Sequence, residues 1–540
     1  MTKQFFTIIL IFGSVRFINL TQKILNLIFK LFSKKNKYFL HLKEIKNGND
    51  LKSQVIYESN SLLDTKLAHY VTAHAFNSMG FKNIFFYNMS INSFYNPNTF
   101  FFYNKLRLNY INYNLDLNQI KKSVKLFFQL RKKVVSKDKL INLRINKLEI
   151  GDLIYDSYLR FAKKPTLDLN DIKFDIEFFK CIATFVFWND YFKKNKVDSF
   201  IQSHANYRIG IPGKIALSKN IKVFNVNIDD IYRLSKKKKY LGLQFLNYKK
   251  SFNSINNKKK LIKIAQKKME IRFRGGNGFD IPHTFKHAFK NNSNLNIGDL
   301  FVKNRKNILI SCHDFTDSPN AYGKFIFKDF LEWVEFLGEY SKNNKRFNWY
   351  LKPHPNPVNN EDKIIFSILK KYPHFKLIPA KVSHKKIIPN IDLVLTCRGT
   401  IGYEYPYFDI PVIMASNLSK VTNFKFAHTA KNLKNYKYLL KNIPKIINEN
   451  NINKEEIAEF YFTHYYFYDA SSWIIKNYFS FYNKKFKKNQ IGSSRILPEK
   501  IFSIFFDLYK SKIKLINKSK IFINFYKSKN YKLIYNIYKN

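Results

Sequence analysis

Cysteine is scarce in this 540-residue chain: Cys181, Cys312 and Cys397 stand far apart, and no Cys-x-x-Cys occurs. That argues against structural zinc and a disulfide framework, and for a reducing compartment. Acidic residues are few as well, 38 against 94 Lys and Arg, which leaves a formal charge of +56. Arginine is the scarcer base, 13 of those 94. Arginine is preferred for bidentate recognition of bases and phosphates, so the lysine excess does not read as a nucleic-acid surface. It suits anionic small molecules, acidic glycans or an anionic membrane face, with part of it solvated surface. No Gly-x-Gly-x-x-Gly opens the first strand–helix turn, which disfavours a dinucleotide site. No aspartate-rich metal motif is visible, so no metal and no cofactor is expected. Internal repeats are lacking too. Hydrophobic content of 45% is enough for real cores and excludes global disorder.

Long apolar runs are also missing. The N-terminal run Phe5–Phe12 falls short of the ~20 residues a membrane span needs, and no cleavage site marks a signal peptide. From Arg16 to Ser33 the polar residues recur at steps of three and four and fall on one helical face. A wide apolar face with a narrow basic stripe fits either a helix in the membrane interface or one packed on the protein's own core. We place this basic amphipathic segment at 1–47. A first domain follows over 48–289, opening strand–helix–strand at Ser53–Tyr57, Ser61–Met79 and Asn83–Tyr87. Residues 115–195 read as a helical insert. Within it Asp152, Asp156 and Arg160 share a helical face as an ion-pair ladder. Strand Asp198–Gln202 ends at Ser203-His204-Ala-Asn-Tyr207-Arg208, which sets His204, Tyr207 and Arg208 on the ligand side of an open sheet. His204 is a candidate acceptor-side base. Residues 234–270 read as a solvated Lys/Asn-rich helical surface. After them, Arg272-Phe-Arg274-Gly-Gly-Asn-Gly278, with Phe279-Asp280-Ile-Pro-His283, forms a basic loop in which Asp280 is a further catalytic candidate.

A second domain is expected over 290–475. Its first strand, Asn307–Ser311, leads into His313, Asp317 and Ser318. Strand Asn348–Leu351 ends at Lys352-Pro-His354-Pro355, where two prolines fix the aim of His354. Ser383 opens a short helix. Then come an apolar run Leu393–Thr396, the turn Arg398-Gly399-Thr400, a short helix with Gly402 and Glu404, and the run Val412–Ala415. Small residues at a helix start leave backbone N–H groups for an anion, and Thr400 is placed to cap the helix. Position 403 is Tyr, so no capping box engages Glu404. Its carboxylate then complements the helix dipole, accepts bonds from a ribose, or acts as a base. The tail, 476–540, is basic, aromatic and helical, and either returns to the first domain or meets a membrane surface.

The pattern Lys-Pro-His-Pro, a strand, Gly-Thr-Ile-Gly-Tyr-Glu and Pro-Val-Ile, clearest over 300–430, resembles the C-terminal half of bacterial capsule and surface-polysaccharide glycosyltransferases of GT-B architecture. The stretch Gly151–Arg160, which includes Asp156, looks like another segment of that family. The resemblance implies an α/β fold. Two Rossmann-like parallel-sheet domains would face a cleft, with helical extensions at both ends. It implies a donor half that binds a nucleotide-sugar through Lys352, His354, Arg398, Gly399, Thr400, Gly402 and Glu404, with His313, Asp317, Ser318 and Ser383 at its edge. The acceptor half would present His204, Tyr207, Arg208 and Asp156 to a glycan or glycolipid. A nucleotide-sugar epimerase of the same architecture, or a non-catalytic basic scaffold, is the alternative. The expected location is cytoplasmic, with the inner face of the membrane as a possible partner.

Overall fold

The computed structural model describes residues 45, 53–60, 63–86, 97–106, 108–111, 115–227, 231–275, 288–289, 297–302, 304–355, 357, 359–468 and 518–534. The amphipathic segment over 1–47 falls outside them except for Ile45, as do Asp280 and the tail up to 517. The described residues divide into two units. One draws on 1–157, 168–241 and 469–535, the other on 158–167, 242–468 and 536–540. Among them no helix is long and apolar enough to cross a membrane.

The first unit is built on β1 (Gln54–Glu58), β2 (Lys82–Phe86), β3 (Asn109–Ile111), β6 (Val197–Gln202), β7 (Lys222–Val226) and β8 (Ile231–Leu234), with a small hairpin β4 (Arg144–Ile145) and β5 (Leu148–Glu149) apart from the sheet. The sheet order is β3-β2-β1-β6-β7-β8, parallel except for the edge strand β8. The chain therefore winds outward from β1 through β2 to β3, returns to the other side of β1 as β6, and winds outward again. The second unit repeats this plan with β9 (Lys306–Ser311), β10 (Phe347–Lys352), β11 (Phe375–Leu377), β12 (Leu393–Thr396), β13 (Val412–Met414) and β14 (His428–Thr429), all parallel in the order β11-β10-β9-β12-β13-β14. Its central strands are buried apolar runs, as strands covered on both faces must be. This is the α/β class with two Rossmann-like parallel sheets that the sequence implies.

Local signals explain most of the boundaries. Asp329 caps helix Phe330–Lys342 by accepting from the Glu332 N–H, and Ser383 caps His384–Ile387 by accepting from the Lys385 N–H. Two helices, Leu433–Lys441 and Ile443–Asn448, stand where one could have run on, because Pro444 lacks the N–H to carry the first one further. The insert is helical apart from the β4–β5 hairpin, whose turn residues Asn146 and Lys147 both take positive φ.

Two expectations change with the structure. Asp152 does not join an intrahelical ladder. It receives Lys214 Nζ at 2.7 and 2.8 Å, a partner from another helix with both groups buried. Helix Lys258–Phe273, within the stretch read as a solvated surface of the first domain, belongs to the second unit and buries Leu261, Ala265, Met269 and Arg272.

The described part of the tail returns to the first unit. Helix Ser519–Lys527 sends Phe522 and Phe525 into the core, with Phe522 5.3 Å from the Phe76 ring. Arg233 ties its end down by donating to the carbonyls of Phe525, Tyr526 and Ser528. Phe522→Ala is therefore expected to lower the unfolding free energy by about 3–5 kcal/mol. Denaturant unfolding of the full chain checks it, and an unchanged midpoint contradicts a core role for the tail.

Candidate functional site at the carboxyl ends of the strands

Each sheet has one place where neighbouring strands send their chains to opposite sides, between β1 and β6 and between β9 and β12. Such a switch point leaves a crevice beyond the carboxyl ends of the strands, where open α/β sheets take their ligands. His204, His313, His354 and Arg398 follow strands at or beside these two places.

In the second unit, His313 follows β9, His354 follows β10 and Arg398 follows β12. His313 stacks on Phe330, with centroids 4.3 Å apart and planes 19° apart, and lies 6.1 Å from the His354 ring at 27°. Both imidazoles are half-buried. Arg398 is buried, with its guanidinium carbon 5.4 Å from the Tyr322 ring centre and 5.2 Å from that of Phe325, two cation–π contacts that restrict its donor fork. Gly399 takes φ +105°, a conformation that favours glycine. Thr400 precedes the helix Ile401–Glu404 but its side chain makes no cap bond, because its own backbone is already helical. Gly402 packs under Met414, where a Cβ would come within 2.8 Å of the sulfur. Ser318 is buried and Asp317 half-buried in the loop after His313.

Two residues read as donor ligands face inward. Lys352 is buried, and its Nζ donates to the carbonyls of Pro379, Ala380 and Val382 at 3.2, 3.1 and 2.9 Å. Burial pulls its pKa down to about 7. Lys352 thus anchors the loop that carries Ser383 and His384. Glu404 is fully buried and pairs with Arg272, itself buried, in place of an exposed helix-end charge or a ribose contact. The reason is topological: helix Lys258–Phe273 runs beneath the turn and supplies the cation. Nothing local in the sequence announces a partner 132 residues away. His384 is a second residue that sequence reasoning passed over. It shares 2.7 Å with the Tyr405 hydroxyl, and burial, with Lys352, Arg272 and His354 nearby, holds its pKa well below the usual range. A neutral imidazole therefore sits amid the cations.

The loops after β9 and β10 are clasped by carboxyl groups. Glu361 Oε1 accepts from the Phe315 N–H at 2.6 Å, and Asp314 Oδ1 accepts from the Thr316 N–H and hydroxyl at 2.8 and 2.9 Å. Burial pushes the Glu361 carboxyl up to about 8 against the pull of that N–H, and Asp314 beside it adds to the rise.

In the first unit, His204 lies just past β6, half-buried, with Nδ1 2.9 Å from the Ser203 hydroxyl. The Ser203 N–H and hydroxyl both reach Glu58 Oε2, at 2.8 and 3.1 Å, from the end of β1. Arg208 and Asp156, expected on the acceptor side, are buried instead. Arg208 pairs with Glu177, and its N–H donates to Ser157 Oγ at 2.6 Å. Tyr207 is buried beside them. Arg208 is thus tied to the two helices that carry Ser157 and Glu177.

No protein-family model and no curated protein sequence matches the chain. Among solved structures it is similar to a beta Kdo 2,4 transferase, KpsC of Thermosulfurimonas dismutans, at 10% identity and a TM-score of 0.29, over 48% of this chain and 78% of that one. A UDP-GlcNAc 2-epimerase from Neisseria meningitidis bound to UDP-GlcNAc matches at 11% identity and a TM-score of 0.25, over 76% and 96% of the two chains. A glycosyltransferase from Rickettsia africae matches at 9% identity and a TM-score of 0.24, over 77% and 93%. With scores of this size, the fold rests on the sheets themselves.

Two outcomes follow from these contacts. Glu404→Gln leaves the Arg272 charge buried without its counter-ion and is expected to cost about 3–5 kcal/mol of stability; an unchanged denaturation midpoint contradicts the pair. Glu361 has its pKa raised in the fold from 4.5 to about 8, so its contribution to stability is full below 4.5 and is lost as pH rises through 8. Glu361→Gln keeps the acceptor for Phe315 and carries no charge. Its melting temperature is expected to exceed that of the parent above pH 8, and a variant less stable at every pH contradicts the assignment.

Proposed function

We propose that the chain is a glycosyltransferase that moves a sugar or ulosonic acid from a nucleotide-activated donor to a surface polysaccharide or its lipid-linked precursor. The observation that carries the reading is the grouping of His313, His354 and Arg398 beyond three adjacent parallel strands, at the point where the strand order reverses. Two half-buried imidazoles and a guanidinium restricted by aromatic contacts are donors suited to a phosphate. The Gly399–Gly402 turn adds backbone N–H groups beside them. The Lys-Pro-His-Pro and Gly-Thr-Ile-Gly-Tyr-Glu resemblance falls on these same loops. In this reading Lys352 and Glu404 act from behind: one fastens the Ser383 loop, and the other fastens the turn to Arg272.

The first unit takes the acceptor. His204 Nε2 removes the acceptor hydroxyl proton, and the oxygen attacks the anomeric carbon. The bond from that carbon to the phosphate oxygen breaks, and its electron pair leaves with the nucleotide. Charge that develops on the leaving phosphate is met by His354, His313 and Arg398. No cofactor or metal is part of the scheme, and the basic surface is suited to the anionic inner face of a membrane, where a lipid-linked acceptor lies.

Acceptor-dependent release of nucleotide from a panel of nucleotide-activated sugars tests the proposal. His354→Ala is expected to raise the donor KM by about tenfold to a hundredfold, the worth of a charge-assisted hydrogen bond, without changing the unfolding midpoint. Donor epimerised without any acceptor assigns the site to the epimerase reaction instead, and a donor KM indifferent to His354 removes the observation on which the reading rests.

A further inference from the structure

The acceptor-side histidine is not alone at its switch point. Glu58 ends β1, Ser203 follows β6, and these strands are hydrogen-bonded neighbours whose chains leave in opposite directions. Glu58 and Ser203 are buried while His204 is half-open. The order of bonds along the three groups is fixed by what each can donate. A backbone N–H only donates, so the 2.8 Å contact from Ser203 N marks Glu58 Oε2 as an acceptor. The Ser203 hydroxyl, 3.1 Å from the same oxygen, has one proton and gives it to the carboxylate. Its lone pairs then face His204 Nδ1 at 2.9 Å, and that nitrogen has to carry a proton. The imidazole is thereby set with N–H at Nδ1 and its lone pair at Nε2.

The surroundings hold this arrangement still. Asn227 Nδ2 donates to the Ser203 carbonyl at 3.2 Å and its Oδ1 accepts from the Thr65 hydroxyl at 3.1 Å, which fixes Ser203 from the side of β7. Past His204 the chain turns through Tyr207 at φ +57°, a rare conformation for a bulky residue and one that persists where neighbours over-determine it. Here the Arg208 N–H is held by Ser157, the guanidinium by Glu177, and Gly210 passes so close to Ala205 that a Cβ would lie 2.3 Å from its carbonyl oxygen. Four separate anchors thus fall within the eight residues from Ser203 to Gly210.

We propose that Glu58 and Ser203 form a positioning relay that holds the His204 imidazole as the Nδ1–H tautomer and so presents Nε2 as the proton acceptor. That Nε2 receives a glycan hydroxyl proton rests on the function proposed above; the relay itself does not. When Nε2 takes a proton the ring becomes a cation, and the Glu58 charge, passed through the Ser203 hydroxyl, stabilises it. No proton need leave Ser203 or reach Glu58. His204 is the residue that touches the acceptor, and Glu58 and Ser203 act through it.

Long-range nitrogen–proton NMR spectra of the full chain with labelled histidine read the tautomer directly, and His204→Gln assigns its signal among the 12 histidines. The expected result is a protonated Nδ1 and an unprotonated Nε2 in the parent protein. Ser203→Ala should shift His204 toward the Nε2–H form, and Ser203→Thr, which keeps the hydroxyl, should restore it. A parent spectrum with the proton on Nε2 overturns the relay whether or not any variant folds, and so does a tautomer that ignores Ser203→Ala. In a transfer assay Ser203→Ala and Glu58→Gln should lower kcat by about tenfold to a hundredfold, part of the 10²–10⁴ a positioned base supplies, with KM for donor unchanged. The spectrum needs no substrate, so failure of the glycosyltransferase reading and failure of the relay are seen separately.

Discussion

Two parallel strands that lie side by side but send their chains to opposite faces of a sheet leave an opening beyond their carboxyl ends. Neither connection covers it, and whatever stands there is set by the last residues of the strands and the first of the loops. This chain makes such an opening twice, at β1–β6 and at β9–β12. Glu58, Ser203 and His204 stand at one; His313, Arg398 and Gly399 stand at the other, with His354 one strand away. The buried apolar strands fix these positions, since a register slip of one residue would turn every one of their side chains to the opposite face.

The use of arginine follows from the same geometry. Arginine is rare here against a large lysine excess, yet Arg208 and Arg398 are buried just past strand ends and Arg272 is buried on the helix Lys258–Phe273. A planar fork can be held by a carboxylate, as Arg208 is by Glu177 and Arg272 by Glu404, or by cation–π contacts, as Arg398 is by Tyr322 and Phe325. Buried ion pairs of this kind add little net stability relative to an apolar replacement. What they supply is a fixed loop shape, because losing either partner strands a charge away from water. Lysine, with its flexible stem, mostly covers the outside, and two of the buried exceptions are closely tied, Lys352 by three carbonyls and Lys214 by Asp152.

How much of this was legible in the sequence depended on range. Short-range signals carried well: apolar runs gave β1, β2, β6, β9, β10, β12 and β13 to within a residue, and the residues after each strand end pointed at His204, His313, His354 and Arg398. Pairings over long separations did not. Glu58 and Ser203 are 145 positions apart, Arg272 and Glu404 132, and neither half carries a local mark of its partner. For that reason Glu404 read as available and Arg272 as part of a loose basic loop. The two-residue strands β4, β5 and β14 are too short for a period to show, and β8 is set by pairing with β7. Lys352 was correctly placed at a strand end but its direction was not, since the carbonyls that hold it belong to a loop past the next strand.

The account stands most directly on where an activated nucleotide binds. A crystal structure of the full chain with a nucleoside diphosphate, or with its sugar conjugate, is the decisive measurement. The account predicts phosphate oxygens beyond β9 and β12, within hydrogen-bond distance of His354 or His313 and of Arg398, with the Arg272–Glu404 pair intact behind them. A nucleotide bound elsewhere on the chain, or phosphates that reach Lys352 and Glu404 by breaking their present bonds, would contradict it.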